Sequence, residues 1–556
     1  VVSIPTITVS INDLSSLAGA DLPPGKLTEV LSDLKCEVES LEGDEITYEV
    51  TSDRPDLFSS EGAARAIAHY LGRPVREARH SALPPLELRV TPSVAGVRPF
   101  IVAAALRGVT MSAEAIVQIM QLQEKLHNTY GSNRKKASIG IYDLDTVAPG
   151  FVYDALPPGE IRFIPLESDR EMSGREILES TPKGRDYAGI IQHFERYPLL
   201  TDSNGRVLSM PPIINSEDTK VTGESHNILV DVTGTEEKAV EVCLNVVASA
   251  LSVRGGALQR VEVSYPDRVV ETPSAERQRQ RLSQGAVRAV SSLDLTTGEI
   301  AGLLRRMGLQ PEEVDKSTLE VTIPPYRADI LHEVDLVEDV VMAYGLNRIE
   351  PELPRAVTTG SRLPSSRLRS RVRDLMVGMG FQEVSTYMLS SREVLEERSL
   401  MGRRELVEIV KPVSAEFSVV RDALLPKLLS FLGCNTHFSY PQKVFEYGDV
   451  VEVRASGARA EGTAVPRTHV AAAISDYRLS FEEIQAVAAA LFRNLSMEAV
   501  FIPHPSRTFI EGRTAKITVC GREVGTVGEV SPEVLVNFGI ACPVGAMECD
   551  LSRLTD

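Results

Sequence analysis

The chain has 556 residues, is 43% hydrophobic and 24% charged, and carries a net charge of −18. This composition can build cores, and the length suits roughly three to five domains. It excludes a chain drawn to nucleic acid as a whole, because long-range attraction to phosphates needs positive charge, and no apolar run approaches the ~18 residues of a membrane helix.

Residues 1–85 read as a first α+β unit. A strand (ITVSINDL) precedes a helix (KLTEVLSDL), a strand (EITYEVT) and the segment RPDLFSSEGAARAIAHYLG, with Leu57, Ala64, Ile67, Ala68 and Leu71 at helical spacing. The N-terminal stretch alternates like a strand and lacks the basic start and apolar core of a secretion signal. Pro74 and SALPPLE read as a linker.

Residues 95–265 read as a mixed α/β domain. A helix is expected over 112–129, with Ile116, Ile119, Met120, Leu122 and Leu126 on one side. A strand and turn (ASIGIYDLD), a helix (YAGIIQHFERY), a hairpin turn (DSNG), two strands (RVLSM, NILVDVTG) and a helix (KAVEVCLNVVASAL) follow. Residues 268–350 give a third unit: a helix near AGLLRRMG, a strand (STLEVTI), Pro324-Pro325 and a closing helix. RIEPELPRAVTTGSRLP reads as the next linker. The last domain, 360–556, opens on a basic helix and continues with antiparallel strand patterns. Six cysteines without a CxxC pair argue against a zinc or disulfide framework and for a reducing, cytoplasmic setting.

The first and third units repeat each other. An offset of 273 residues places Arg54 on Arg327, Asp56 on Asp329, Leu57 on Ile330 and Gly72 on Gly345. The third unit's closing helix places Ile330, Val334, Val337 and Val341 on one face. Asp335, Glu338 and Asp339 share another face and repel one another by a few tenths of a kcal/mol per pair, at about helical neighbour distance. The matching positions in the first unit are Gly62, Arg65 and Ala66, so only the Arg-x-Asp turn is common to both copies. Asp329 is expected to cap the following helix. The other acids leave three readings open: a hard cation such as Mg²⁺ or Ca²⁺, a basic partner surface, or a solvated face.

The runs together resemble the β subunit of phenylalanyl-tRNA synthetase in its archaeal and eukaryotic form. IPPYRADILHEVDLVEDVVMAYG resembles that family's signature, and TSDRPDLFSSEGAARAIAHYLG its N-terminal unit. YPLLTDSNGRVLSMPPIINSEDT with NILVDVTGT resembles its editing domain. VKPVSAEFSVVRDALLPKLLSFLGCN and KVFEYGDVV resemble its class II synthetase-like domain. The chain ends soon after MECDLSRL, without the further anticodon-binding domain of bacterial β subunits.

The resemblance implies a multidomain α+β fold: winged-helix-like units, a mixed α/β editing domain, and an antiparallel class II-like core without catalytic motifs. It implies an α2β2 enzyme that joins phenylalanine to tRNA(Phe) with ATP and Mg²⁺, synthesis residing in the α subunit. No membrane or DNA partner is implied. Lys443 and Glu446 stand where a class II enzyme would have its ATP-binding arginine and glutamate, and the arginine is missing. The helix with Arg367, Leu368, Arg371, Val372 and Leu375 would suit packing or a tRNA contact. The acids Asp329, Asp335, Glu338 and Asp339 become the expected metal ligands, fixing the border with the α subunit.

Tyrosine differs from phenylalanine by one hydroxyl, which a hydrophobic pocket rejects only about a hundredfold. A second pocket can favour tyrosine by hydrogen-bonding that hydroxyl. The resemblance points to Leu200, Ser209, Asp231 and Thr233 for such a pocket. Asp231 and Thr233 alternate on a strand and so share a face. Asp231 is assigned to the tyrosine hydroxyl and Thr233 to substrate or water positioning. Ser209 would line the pocket, Leu200 would contact the ring, and Asn215 would add a polar contact. Taken alone, Asp-x-Thr-Gly reads as a strand running into a turn. Tyr142 stands where the family usually has histidine, and Arg134, Lys135 and Lys136 precede it as candidate phosphate contacts. Two other readings stay open: a scaffold and tRNA-binding subunit with a decayed editing site, and a nucleic-acid-binding regulator, for which the acidic closing helix is unsuited.

Overall fold

The computed structural model describes residues 4–75, 79–274, 276–351, 353, 358–454 and 463–554. The chain falls into two compact units, 1–353 and 354–556. The middle of the linker expected over 348–364, namely 352 and 354–357, lies outside the described residues, as do positions 1–3 of the N-terminal stretch.

The internal repeat is present as structure. Strand Thr6–Ser10 leads into helices Ile11–Ala18 and Pro24–Asp33, strands Cys36–Glu42 and Glu45–Val50, and helix Ser60–Tyr70. The second copy runs in the same order through Gln278–Ser283, Gln284–Ser291, Thr297–Arg306, Gln310–Asp315, Thr318–Ile323 and Glu333–Tyr344. In both three-stranded sheets the third strand of the copy is central. Both copies end on a glycine at positive φ, Gly72 at +66° and Gly345 at +100°, a conformation a Cβ disfavours.

The Arg-x-Asp turns also match. Arg54 Nε and Nη2 donate to Asp56 Oδ1 and Oδ2, both at 2.9 Å. Arg327 Nε and Nη2 donate to Asp329 at 2.9 and 2.7 Å. The copies pack on each other through matching positions. Arg65, on the first closing helix, lies 3.6 Å from the ring centre of Tyr326. Glu338, on the second, pairs at 2.9 Å with Lys35, which also reaches Asp53 at 3.5 Å. The offset of 273 maps Arg65 onto Glu338 and Asp53 onto Tyr326.

Between the copies in sequence lies a large sheet. Its main path runs Ile214–Asn215, Val207–Met210, Tyr197–Thr201, Phe151–Leu156, Leu86–Val90, Ala257–Ser264, Phe100–Arg107, Asn227–Gly234 and Ala137–Asp143. One face is covered by helices Ala113–Asn128 and Glu237–Val253, whose Ile119, Leu122, Val240, Leu244 and Val247 pack with Val102, Ala104, Val230 and Val232. Burying each large side chain contributes roughly 1.5–3 kcal/mol. The other face holds Ile101, Ala103, Tyr142, Tyr153, Leu200, Leu208 and Leu229 in a separate core. Alternation along a strand sends successive residues to the two cores.

Three local readings change. SALPPLE is not wholly a linker, because strands Arg79–His80 and Leu86–Val90 join the large sheet. Met120 is exposed, although its spacing puts it near the apolar stripe. The helix expected from Tyr187 instead spans Pro182–Ile191, and Tyr197 opens a strand.

The second unit is built on a seven-stranded sheet ordered Gln382–Glu383, Gln442–Arg454, Thr463–Ser475, Val544–Asp550, Arg522–Val530, Phe509–Val519 and Ala499–Pro503. Only the short first pairing is parallel. Both faces are buried: Val470, Ala472 and Ile474 pack with helix Phe481–Asn494, whereas Ala471 and Ala473 pack with helix Leu425–Cys434. The basic helix, Pro364–Gly378, buries Val372 and Met376 in the first of these cores. Its Arg371 donates to the Asn494 carbonyl at 3.0 Å, and Arg373 pairs with Glu383 at 2.6 Å.

Candidate functional site

The large sheet curls until the two ends of its path meet. Strand Ala137–Asp143 is at one end, and strands Val207–Met210 and Ile214–Asn215 are at the other. Tyr142 spans the seam. Its single hydroxyl proton makes a short hydrogen bond to Asp231 Oδ1, and its oxygen lies 2.7 Å from Ser209 Oγ. Asn215 Nδ2 closes the same seam on the Ile141 carbonyl at 3.4 Å.

Register explains how these side chains converge. Asp231 sits opposite Ala103 on one side and Gly140 on the other. Leu200 pairs with Ser209, and Ser209 with Asn215, so the three form a row across adjacent strands. Gly140 lies below the Tyr142–Asp231 contact. A Cβ there would collide with both the Tyr142 hydroxyl and the Asp231 carboxylate. Gly140 is therefore a requirement of the site that sequence spacing does not reveal.

The pair is dry. Tyr142 and Leu200 are fully buried, and Asp231 is 1% exposed. Burial pushes the Asp231 carboxyl up to about 7, against the Tyr142 hydrogen bond and the charge of Arg98. Burial and the neighbouring Asp231 charge hold the Tyr142 phenol well above its ordinary value.

Thr233 faces a different partner. Arg98 Nε donates to Thr233 Oγ1 at 2.9 Å and Nη2 to the Thr233 carbonyl at 2.7 Å. Arg98 Nη1 reaches the Lys135 carbonyl at 3.2 Å. Burial lowers Arg98 to about 10, against the influence of Tyr153 and Asp231. Because Thr233 Oγ1 accepts from Arg98, its own proton is free to donate elsewhere. Arg98 carries no spacing signal, and sequence reading passes over it.

The basic run beside Tyr142 is largely occupied. Arg134 is buried, donates to the Pro212 and Ile213 carbonyls at 3.2 and 2.9 Å, and stacks on Tyr187. Lys136 pairs with Glu236 at 2.7 Å. Arg134 thus ties the seam from inside through Nη1, while its buried Nε has no hydrogen-bond partner among the described residues.

The four acids expected to bind metal are each engaged by protein partners. Arg327 Nη2 serves both Asp329 and Asp339 at 2.7 Å. Asp335 Oδ2 accepts from the Leu331 and His332 amides at 2.8 and 2.7 Å. Glu338 is exposed and pairs with Lys35. Among the described residues, no group of three or more His, Cys, Asp or Glu is placed to hold a metal ion. These residues do not fit a Mg²⁺ centre built by this chain alone, since Arg327 and Lys35 supply the positive charge. Burial pushes Asp329 up, but the hydrogen bond and charge of Arg327 outweigh it and keep the carboxyl below its ordinary value. Burial raises Asp339 despite the same arginine. Asp329 is not the helix cap expected from sequence. The helix begins at Glu333, Asp335 does the capping, and Val334 is exposed.

In the second unit, Glu446 accepts from Arg421 at 2.7 Å and from the Thr386 hydroxyl at 2.7 Å. Glu548 is held by His469 at 2.7 Å and by the amides of Leu424 and Leu425. These acids are tied into the sheet and its flanking helix.

Comparison with known proteins follows the same division. Residues 281–346 match the tRNA synthetase B5 domain, and residues 349–551 match the phenylalanyl tRNA synthetase beta chain CLM domain. The phenylalanine–tRNA ligase beta subunit of Korarchaeum cryptofilum is 41% identical over 98% of each chain. That of Archaeoglobus fulgidus is 39% identical over 99% of each. An N-terminal fragment of the phenylalanyl-tRNA synthetase beta subunit from Pyrococcus horikoshii superimposes with a TM-score of 0.58 at 37% identity, covering 61% of this chain and all of the fragment.

Proposed function

The chain belongs to the family of phenylalanine–tRNA ligase beta subunits, and we propose that within that ligase it also hydrolyses tyrosyl-tRNA(Phe). The ligase joins phenylalanine to its tRNA with ATP. The β subunit works with an α partner, in our reading as an α2β2 heterotetramer in the cytoplasm, and binds tRNA(Phe). The described residues contain no helix long and apolar enough to cross a membrane.

The observation that carries the editing reading is the Tyr142 contact. Ser209 and Asp231 already hold a phenol hydroxyl in a buried site. A tyrosyl side chain offers the same group, and a phenylalanyl side chain would leave the buried carboxylate unpaired. Such a mismatch costs about 1–3 kcal/mol, more for a charged group. Asp231 and Ser209 read the hydroxyl, Leu200 packs the ring, and Asn215 holds the seam. Arg98 orients Thr233 so that its hydroxyl donates toward the ester or the attacking water. Hydrolysis adds the water oxygen to the ester carbonyl carbon and releases the terminal ribose oxygen with the proton.

The same contact favours a second reading. Tyr142 occupies the hydroxyl position, so a closed site would leave the chain as a scaffold and tRNA-binding subunit. The test is deacylation of tyrosyl- and phenylalanyl-tRNA(Phe) by the α–β complex, with Asp231→Ala as control. Fast loss of tyrosine alone, abolished by the substitution, supports editing. Equal survival of both esters supports the scaffold.

Magnesium belongs with the ATP of the ligase reaction. For Asp329, Asp335, Glu338 and Asp339 to bind it, the Arg327 and Lys35 pairs would first have to open. The repeat units, with their strand–helix–helix–strand–strand–helix order, support a winged-helix-like reading. The antiparallel sheet with helices on both faces supports a class II-like reading of 360–556. There Arg421 already satisfies Glu446, consistent with a domain that packs rather than binds ATP.

A further inference from the structure

A cavity of about 420 Å³ lies within residues 1–353, walled by both repeat copies, helix Glu237–Val253 and strand Ala257–Ser264. That volume is in the range of small-ligand sites. Its wall carries Arg65, His69, Arg73, His80, Arg260 and Arg277, and no Asp or Glu among the described residues. The chain as a whole has 77 acids against 59 Lys and Arg. A wall with four arginines and no acid therefore departs from the composition in the direction that attracts anions.

Arg65 gives the second, independent observation. It is 7% exposed, and its Nη2 is buried without a hydrogen-bond partner. Its guanidinium is steadied over the Tyr326 ring, which fixes its plane without satisfying that nitrogen. Glu271 draws on Arg260 from outside the cavity, at 2.5 Å. Arg73 and Arg277 are exposed at the rim. The repeat makes the contrast plain. The position matching Arg65 is Glu338, which has Lys35 as its partner, whereas Arg65 has an aromatic face and an unsatisfied donor. Guanidinium groups favour oxyanions that accept two donors at once, and phosphate supplies both the geometry and the charge.

We propose that this cavity binds a phosphate group, carried by an RNA backbone or by a free phosphate compound. RNA as a carrier rests on the tRNA part of the reading above; the cavity chemistry does not. The test uses the full α–β complex and the rim variant Arg73→Glu/Arg277→Glu, with an unchanged unfolding midpoint as the folding control. One arm follows ³¹P line broadening of inorganic phosphate. The other measures the Kd of tRNA(Phe) across a salt series.

The expected result is loss of the variant-sensitive phosphate broadening. Where RNA is the carrier, the tRNA Kd also rises at least about tenfold at low salt, with a shallower salt slope. Loss in either arm supports a phosphate site, and the arm that responds identifies the carrier. No change in both arms overturns the proposal. Neither arm reads tyrosyl-ester hydrolysis, so failure of the editing reading leaves this test intact.

Discussion

Asp231 is where burial and the proposed editing function meet. Its carboxyl is raised in the folded state, so the folded chain holds that proton more tightly than the unfolded chain. Its stabilising contribution is thus fully present below about pH 4, the ordinary carboxylate value, and is lost as pH rises through the folded value of about 7. Asp231→Asn should flatten that part of the stability–pH curve, measured by denaturant titration at several pH values; an unchanged slope would refute it. Above pH 7 the ionised acid accepts from a phenol, so tyrosyl-ester hydrolysis, taken relative to Asp231→Asn, should strengthen as pH rises through about 7. Tyr142→Phe removes the resident hydroxyl while keeping the ring. It should destabilise the fold by about 1–3 kcal/mol and raise kcat/KM for tyrosyl-tRNA hydrolysis roughly tenfold, because no bond to Asp231 must first break. A fall in kcat/KM would show that the Tyr142 hydroxyl assists the reaction. Sequence reading reaches Asp231, Ser209 and the oddity of Tyr142. It does not reach Arg98 or Gly140, whose roles depend on a register between distant strands.

The repeated element was legible because its key contact is local. Arg54–Asp56 and Arg327–Asp329 lie two residues apart, so spacing alone exposes the turn. The partners of the helix acids were hidden because Lys35 is just over 300 residues from Glu338 and belongs to the other copy. Arg327→Met would strand the buried Asp339 and loosen Asp329, at a cost of about 3–5 kcal/mol. Glu338→Gln breaks an exposed pair and should cost no more than about 1 kcal/mol. Both are read by denaturant titration, and equal effects would contradict the contact pattern. Since Arg327 and Lys35 pair with Asp329, Asp339 and Glu338, and backbone amides hold Asp335, stripping divalent ions with EDTA should leave the unfolding midpoint within about 1 °C. A drop of several degrees, on the scale that ~1 kcal/mol produces, would show a structural cation.

At the scale of the whole molecule, the proposed editing site rests on closure of the large sheet. Along the nine-strand path, five strands lie between those carrying Ser209 and Asn215 and those carrying Asp231 and Tyr142, and curling brings the ends into hydrogen-bond contact. Individual strands were readable from alternation and turns. The curl was not, because strand twist and pairing order are set by non-local contacts. The central claim is that the buried pair at this seam reads a tyrosyl hydroxyl. The most direct measurement is a crystal structure of the α–β complex with a non-hydrolysable amide analogue of the tyrosyl-adenosine end of the tRNA. The account predicts its phenol oxygen within hydrogen-bond distance of Asp231 and Ser209, with Tyr142 displaced. An analogue bound elsewhere, with Tyr142 still joined to both residues, would contradict it.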